Sequence, residues 1–420
     1  MSNDRITQIH IAGLRSLADV TLDLSGLQVL IGDNGTGKSS ILEALQILSQ
    51  CMTPGAFVND VIVRAHGGLE SLLRKGSKNL HIAVKIEGDG PSLEYGFILE
   101  FIGNSPAVTE EYANRFGDSG LFPVLTRNAS KTLFFRSLLR EAIHKAIDQG
   151  EEVPPNFPLG NQSLLLPSVA PMGDPSLKRI AEALTNIKVH VPFETRALWQ
   201  QKELNITAGP RWPDTIDQSD SLSRYALNLA NVYHHLRNQG GEVWQRVITT
   251  ARFGLGSDLR DIQLTAAGRG KIELQALYGG ALNSSLPAEA FSDGQIAFLA
   301  FIALTELANG NSLITFDEPE LHLHPALLAR VVWMLEEVGS KTPVIISTHS
   351  DRLLDALTDP ARSVVLCELD DQWATHLRRL DKEKLHQWFE DYRGFGSLRA
   401  EGYERHVLRD SDDAMKVQHP

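Results

Sequence analysis

The reading of the chain is decided by Leu27–Leu48, LQVLIGDNGTGKSSILEALQIL. Leu27, Val29, Leu30 and Ile31 form a short apolar run rich in β-formers. Gly32-Asp33-Asn34-Gly35-Thr36-Gly37-Lys38-Ser39 then fits G-x-x-x-x-G-K-[ST] at every fixed position, followed by Ser40. Ile41, Leu45 and Leu48 recur at helical spacing. The pattern predicts a strand, a glycine loop and a helix, the context in which this motif signifies phosphate binding. Gly32, Gly35 and Gly37 let the backbone curl so that its N–H groups point at phosphate oxygens. The helix opening near Lys38 adds its positive end. The Lys38 ammonium can reach the β- and γ-phosphates, and the Ser39 hydroxyl can ligate Mg²⁺. A nucleotide phosphate with Mg²⁺ is therefore the expected ligand set.

Composition sets outer bounds. The 420 residues suffice for two or three domains, or for one large domain with an insertion. At 42% hydrophobic and 22% charged residues the chain reads as globular. Only two cysteines occur, Cys51 and Cys367, so no disulfide framework is expected and a reducing compartment is the simpler reading. The start, MSNDRITQIHIAG, has no basic stretch leading into an apolar core. The longest apolar run, Ile296–Ala308, is too short to cross a bilayer. The expectation is a cytoplasmic protein with no membrane partner. A net charge of −12 removes global electrostatics as an argument for nucleic-acid binding, while leaving a local patch open.

Working outward, Ile6–Ile11 and Asp19–Leu24 alternate as strands, with Arg15-Ser16 in the turn between them. His81–Glu87 and Glu94–Ile102 read as a β-hairpin across Gly88–Pro91. Lys131–Asp148 reads as an amphipathic helix carrying Lys131, Arg136, Arg140 and Lys145, and Gly150–Asp174 as a proline-rich loop. Pro175–Asn186 reads as helix, Lys188–Val191 as a strand and Ser221–Arg237 as a helix capped by Asp220 or Ser221. Trp244–Phe253 is a further helix, and Asp261–Ala266 and Lys271–Tyr278 are strands. The expected division is 1–125 as the β-rich first part of a head and 126–255 as a mainly helical insertion. Residues 256–385 then complete the head, and 386–420 form an acidic tail.

A second cluster of motifs spans 291–349. Phe291-Ser292-Asp293-Gly294-Gln295 leads into a helix with Ile296, Leu299, Ala300, Ala303 and Leu307 on one face. An apolar strand, Ser312–Phe316, ends in Asp317-Glu318. Pro325, a favoured first helical residue, opens another helix. The strand Pro343–Ser347 ends at Thr348-His349-Ser350. An apolar strand ending in Asp-Glu is a Walker B element: Asp317 would hold Mg²⁺, and Glu318 could polarise the attacking water.

A P-loop, a Ser-x-Gly-Gln signature before a helix, strand-Asp-Glu-Pro and strand-Thr-His-Ser, in that order, resemble the ABC-type ATPases. Within them the chain resembles the AAA-type RecF/SMC/OLD-like group, most clearly over 1–50 and 286–357. The resemblance implies an α/β P-loop NTPase fold with a mixed β-sheet core, a β-rich N-terminal subdomain and an inserted helical one. It implies two heads joined head-to-tail around two ATP molecules, with higher oligomers open. Ser292 and Gly294 of one protomer would contact the γ-phosphate held by the other. It implies Glu318 as catalytic base, His349 as switch and Arg15 as an adenine or phosphate contact, with a surface salt bridge the competing reading for Arg15. Three departures stand out. Asp293 replaces a glycine of the wider signature. His324 stands where many SMC-like heads carry Asp. No glutamine lies between Gln50 and Gln149 to serve as a Q-loop, with His66 or Glu70 as conceivable replacements. No heptad arm appears, and no second acidic strand end follows Glu368, Asp370 and Asp371 to complete a nuclease site.

Four functions follow. The first is an ATP-driven dimer switch in antiphage defence or DNA repair with a separately encoded effector. The second is a RecF-like DNA clamp whose ATPase responds to DNA. The third is a transporter motor, disfavoured by the missing Q-loop. The fourth is a non-catalytic scaffold, disfavoured by the presence of Lys38, Asp317, Glu318 and His349 together.

Overall fold

The computed structural model describes residues 3–53, 55–117, 120–128, 160–204, 208–280 and 283–379, and the backbone of 134–135. The chain lays down β1 (Arg5–Leu14), β2 (Leu17–Asp23), β3 (Leu27–Ile31) and the helix Lys38–Ser49. After a π-helical stretch at Val58–Ala65 come β4 (Asn79–Gly88), β5 (Gly90–Ile102), β6 (Ser105–Gly117), β7 (Gly120–Arg127) and β8 (Phe134–Phe135). The helix Pro175–Thr185 leads into β9 (Ile187–His190). Then follow β10 (Asp214–Thr215), the helices Leu229–Asn238 and Gly241–Leu255, β11 (Leu259–Gly268), β12 (Lys271–Tyr278) and β13 (Ser285–Pro287). The last part alternates the helix Asp293–Glu306, β14 (Leu313–Asp317), the helix Pro325–Gly339, β15 (Val344–Thr348), β16 (Val364–Leu369) and β17 (Thr375–Arg379).

These strands form three sheets. One is a seven-stranded sheet in the order β2-β1-β4-β5-β6-β7-β8, antiparallel throughout. The second has the order β17-β16-β3-β15-β14-β9, parallel except for β17. The third joins β10, β12, β11 and β13. The fold is thus the mixed α/β arrangement of a P-loop NTPase.

The parallel sheet is buried on both faces, which is why its strands read as unbroken apolar runs. Leu30, Leu313, Ile345 and Val365 face a core shared with the P-loop helix, the helix Pro175–Thr185 and the antiparallel sheet. Val29, Ile314, Phe316, Val344 and Ile346 face a second core formed with the helices Leu229–Asn238, Gly241–Leu255, Asp293–Glu306 and Pro325–Gly339. The helix Asp293–Glu306 is the centre of that second core. All nine residues from Ile296 to Leu304 are buried, so the single apolar face expected from spacing is corrected to burial on every side.

Other expectations need revision. β9 pairs in parallel with the Walker B strand β14, Phe316 lying opposite His190. The boundary 126–255 therefore cuts through the nucleotide-binding sheet: composition marks a change in helix content, but strand pairing ignores it. The expected helix Ser221–Arg237 begins only at Leu229. Asn228 accepts from Ser223 N and donates to Ser221 O, and Ala226 has φ 57°, so local side-chain bonds and a left-handed residue displace the first turns. At 134–135, within the helix expected over Lys131–Asp148, the backbone is a strand. The rest of that stretch, with Lys131, Arg136, Arg140 and Lys145, lies outside the described residues, as do the tail features beyond 379. Gly150–Asp174, where described, holds short helical turns at Leu166–Val169 and Ala170–Met172. Strands β6, β7 and β17 were not expected. β6 carries Glu111 fully buried, accepting from the Leu165 and Leu166 N–H groups and the Tyr95 hydroxyl, which masks its apolar alternation. Cys51 and Cys367 are both free and buried. No helix among the described residues is long and apolar enough to cross a membrane.

Candidate nucleotide site

The loop 32–37 leaves the C-terminal end of β3 and turns into the helix Lys38–Ser49. Gly35 and Gly37 have φ of 82° and 95°, a region open to glycine at little cost. At Gly37 packing also demands it: a Cβ would lie 2.6 Å from Thr375 Oγ1 and 2.9 Å from Ser16 Oγ. Gly37 occupies the N-cap with no side-chain hydrogen bond, so the first N–H groups of the helix have no side-chain cap. Lys38 is 5% exposed, and its Nζ donates to the carbonyls of Gly32 (2.7 Å) and Asp33 (2.9 Å). Burial lowers the Lys38 pKa, while the negative charges of Asp317, Asp33 and Glu318 oppose that shift. A cavity of about 270 Å³ opens here, lined by Arg15, Ser16, Asn34, Gly35, Thr36, Gly37, Lys38, Ser39, Ser40 and His349. A second cleft of about 840 Å³ between the helices Gly241–Leu255 and Pro325–Gly339 contains none of the predicted site residues.

Strand order brings the acidic end of β14 to the same edge. β15 lies between β3 and β14, so all three C-terminal ends point one way, where ligands of open parallel sheets bind. Asp317 sits opposite Ser347 and accepts a hydrogen bond from its hydroxyl. The next residue, Glu318, has φ 50°, a sparsely populated conformation for a non-glycine residue, and its N–H donates to Ser347 O (2.9 Å). Glu318 Oε1 is 3.9 Å from His349 Nε2. Glu320, which the sequence did not single out, accepts from Thr348 Oγ1 (2.6 Å) and His349 N (3.2 Å) and so braces the loop carrying His349. The Ser39 hydroxyl and Asp317 carboxylate are hard oxygen donors that fit Mg²⁺, which takes most of its remaining ligands from water and phosphate.

Ser292 and Gly294 do not line this cavity. Ser292 caps the helix Asp293–Glu306 in a reciprocal box: its Oγ accepts from Gln295 N (3.2 Å), and Gln295 Oε1 accepts from Ser292 N (2.9 Å). Gly294 abuts the loop after Walker B, where a Cβ would lie 2.8 Å from His322 O. Asp293 is ion-paired with Arg211 at 2.8 Å. His324 caps the helix Pro325–Gly339 through Nδ1.

Arg15 lines the cavity and is ion-paired with Glu43. At Glu43 burial pushes the pKa up, but the hydrogen bond from His66 and the charge of Arg15 outweigh it and leave the carboxyl below its ordinary value. His66 spends its two ring nitrogens on Glu43 (3.0 Å) and Gln50 (3.1 Å), and Glu70 is exposed; neither lines the cavity. Two positions absent from the sequence reading tie the cavity rim together. Arg74 donates to the carbonyls of Arg15, Ser16, Gln372 and Trp373. Thr375 Oγ1 lies 2.8 Å from Ser16 Oγ and 3.0 Å from Thr36 O. No motif could reveal contacts between residues some 300 positions apart.

Comparison with known proteins gives two family matches. Residues 5–94 match the "AAA ATPase domain" model, and residues 279–355 match "AAA domain, putative AbiEii toxin, Type IV TA system". The first contains the P-loop and the second the signature, Walker B and switch segments. Together they support an AAA-type ATPase. Among solved structures, an SMC head bound to the C-terminal winged-helix domain of ScpA is similar at 16% identity and TM-score 0.45, over 91% of this chain and 99% of that one. A Pyrococcus furiosus Smc head with extended coiled coil, bound to the C-terminal domain of ScpA, gives 15% and 0.46 over 93% and 100%. The Thermotoga maritima SMC head gives 12% and 0.44 over 90% and 99%. A search of curated proteins gives no match.

Proposed function

We propose that this chain hydrolyses ATP and works as a nucleotide-dependent dimer switch. The observation that carries the reading is the division of the anion-binding elements. P-loop residues and His349 line one cavity, whereas Ser292 and Gly294 stand at a second helix N-terminus outside it. A γ-phosphate held by the first would meet the second only from another protomer. Phosphates bind to the N–H groups of residues 32–40 and to Lys38, with Arg15 at the rim. Ser39 and Asp317 would hold Mg²⁺, which would supply positive charge to offset that of the phosphates. Glu318 orients and deprotonates the attacking water. His349, braced by Glu320, senses the γ-phosphate. Loss of that phosphate releases the second protomer, and a partner reads the change.

The site of action belongs to the same proposal: antiphage defence or DNA repair, through a separately encoded effector. The AbiEii description of one matched family favours defence. A RecF-like clamp is the alternative, and the net charge of −12 speaks against DNA as the principal partner.

The test compares wild type with Glu318→Gln by light scattering and ATP turnover, with and without DNA. The variant is expected to lose turnover by about 10²–10³-fold, as for removal of a general base, and to accumulate as an ATP-bound dimer. A variant that stays monomeric in saturating ATP would sink the switch. Strong stimulation of wild type by DNA would favour the clamp.

A further inference from the structure

The signature carries an acid where a phosphate is meant to dock. An uncompensated carboxylate between Ser292 and Gly294 would repel the anion those residues are proposed to hold. The structure supplies its partner from a distant loop. The Arg211 side chain is 2% exposed, and its Nη2 lies 2.8 Å from Asp293 Oδ1. Its Nη1 donates to the carbonyls of Ala288 (3.2 Å), Glu289 (3.1 Å) and Phe291, the residues that bring the chain into Ser292. Its Nε donates to Thr195 O (3.0 Å). The supporting loop is itself fixed. Trp212 Nε1 donates to Gln201 Oε1, and the fully buried Gln201 donates to Arg196 O (2.8 Å).

We propose that Arg211 is the positioning residue of the signature: it locks 288–293 so that Ser292 and Gly294 are aimed outward, and it cancels the Asp293 charge. The planar five-donor guanidinium serves carbonyls and carboxylate at once, which a lysine cannot. The aspartate at 293 thus becomes the anchor of a clamp. The proposal rests on the dimer-switch reading for its phosphate and on geometry alone for its clamp, so two readouts separate them.

The variants are Arg211→Met, Arg211→Met/Asp293→Gly and Asp293→Asn, all made in the Glu318→Gln protein. Asp293 is 44% exposed at its side chain, so Asp293→Asn tests the ion pair without opening the core. Amide hydrogen exchange reads the clamp. Arg211→Met is expected to speed exchange over 288–296 by about tenfold or more while 32–40 stays unchanged, as for loss of a buried charged partner. Light scattering reads the phosphate. ATP affinity at the P-loop is expected to hold within about twofold, while ATP-driven dimerisation weakens by about tenfold, 1.4 kcal/mol. Asp293→Gly is expected to recover part of the loss, which repair of a merely structural defect would not do. Unchanged exchange over 288–296 in both Arg211→Met and Asp293→Asn overturns the clamp, whatever the oligomeric state. Faster exchange with undiminished dimerisation, or no recovery in the double variant, overturns the charge-cancelling role. A Glu318→Gln parent that never dimerises removes the switch reading, and the exchange result still decides the clamp.

Discussion

The two helix N-termini that the proposed switch would use are built in opposite ways. The P-loop helix opens at a left-handed glycine with no side-chain cap, and its lysine folds over the loop carbonyls. The signature helix opens at a serine in a complete capping box, with its approach held by a buried arginine. The first presents backbone donors that no side chain has satisfied, and an anion can take them directly. The second has spent part of its hydrogen bonding on itself and gains rigidity in return. In this box Ser292 Oγ is the acceptor, so its own proton remains free to donate. For the proposed switch, the difference implies an order of events: nucleotide would bind first to the P-loop of one protomer, and the rigid signature would dock afterwards as a preformed surface.

That contrast can be broken from either side. The largest effect is expected from Lys38→Ala, which removes the only cation among the P-loop residues 32–40. ATP affinity, followed by titration calorimetry, should fall by about a hundredfold, roughly 2.7 kcal/mol. Hydrogen exchange over the signature should not change; if it did, the two N-termini would not be independent in the monomer.

Next comes the parallel sheet from which the P-loop and the Asp317-Glu318 end hang. His190 of β9 is fully buried between Phe193 and Phe316, and burial lowers its pKa to about 4. The unfolded chain takes up this proton near pH 6.5, the folded chain only near 4. Between those values the unfolded state holds more protons, so stability falls as pH drops from 6.5 towards 4, and the loss is complete below 4. At pH 5 the penalty is about 2 kcal/mol. Thermal melts of His190→Phe should show a flatter pH dependence across this window than wild type; equal slopes would mean that β9 does not hold the histidine in an apolar setting.

The smallest effect is expected from Ser292→Ala. Loss of the cap should cost about 1 kcal/mol of stability. P-loop affinity should be retained, and ATP-driven dimerisation of the Glu318→Gln protein should weaken. Reduced ATP affinity in the monomer would merge the two sites and end the contrast.

Much of this was legible beforehand because it is local. The glycine loop, the apolar strands flanking it and the strand ends Asp317-Glu318 and Thr348-His349 carry their chemistry within a few residues, and each was found where the sequence put it. The Ser221–Arg237 helix failed because Asn228 and Ala226 override an apolar stripe that spacing alone favours. β6 failed because its one buried carboxylate, Glu111, looks like a surface residue until its three donors are in place. The boundary at 126–255 failed because parallel pairing of β9 with β14 joins segments more than a hundred residues apart.

By itself, then, the sequence named the groups proposed to hold phosphate, metal and water, since glycine conformational freedom, a lysine ammonium and a carboxylate at a strand end are properties of the residues themselves. Only the tertiary structure decided how they are held. Thr375 against Ser16 and Thr36, Glu320 beneath His349, and Arg211 beneath Asp293 are bonds between distant positions. Their partners are chosen by the order of strands in a sheet and by the cost of leaving a buried charge or donor unpaired.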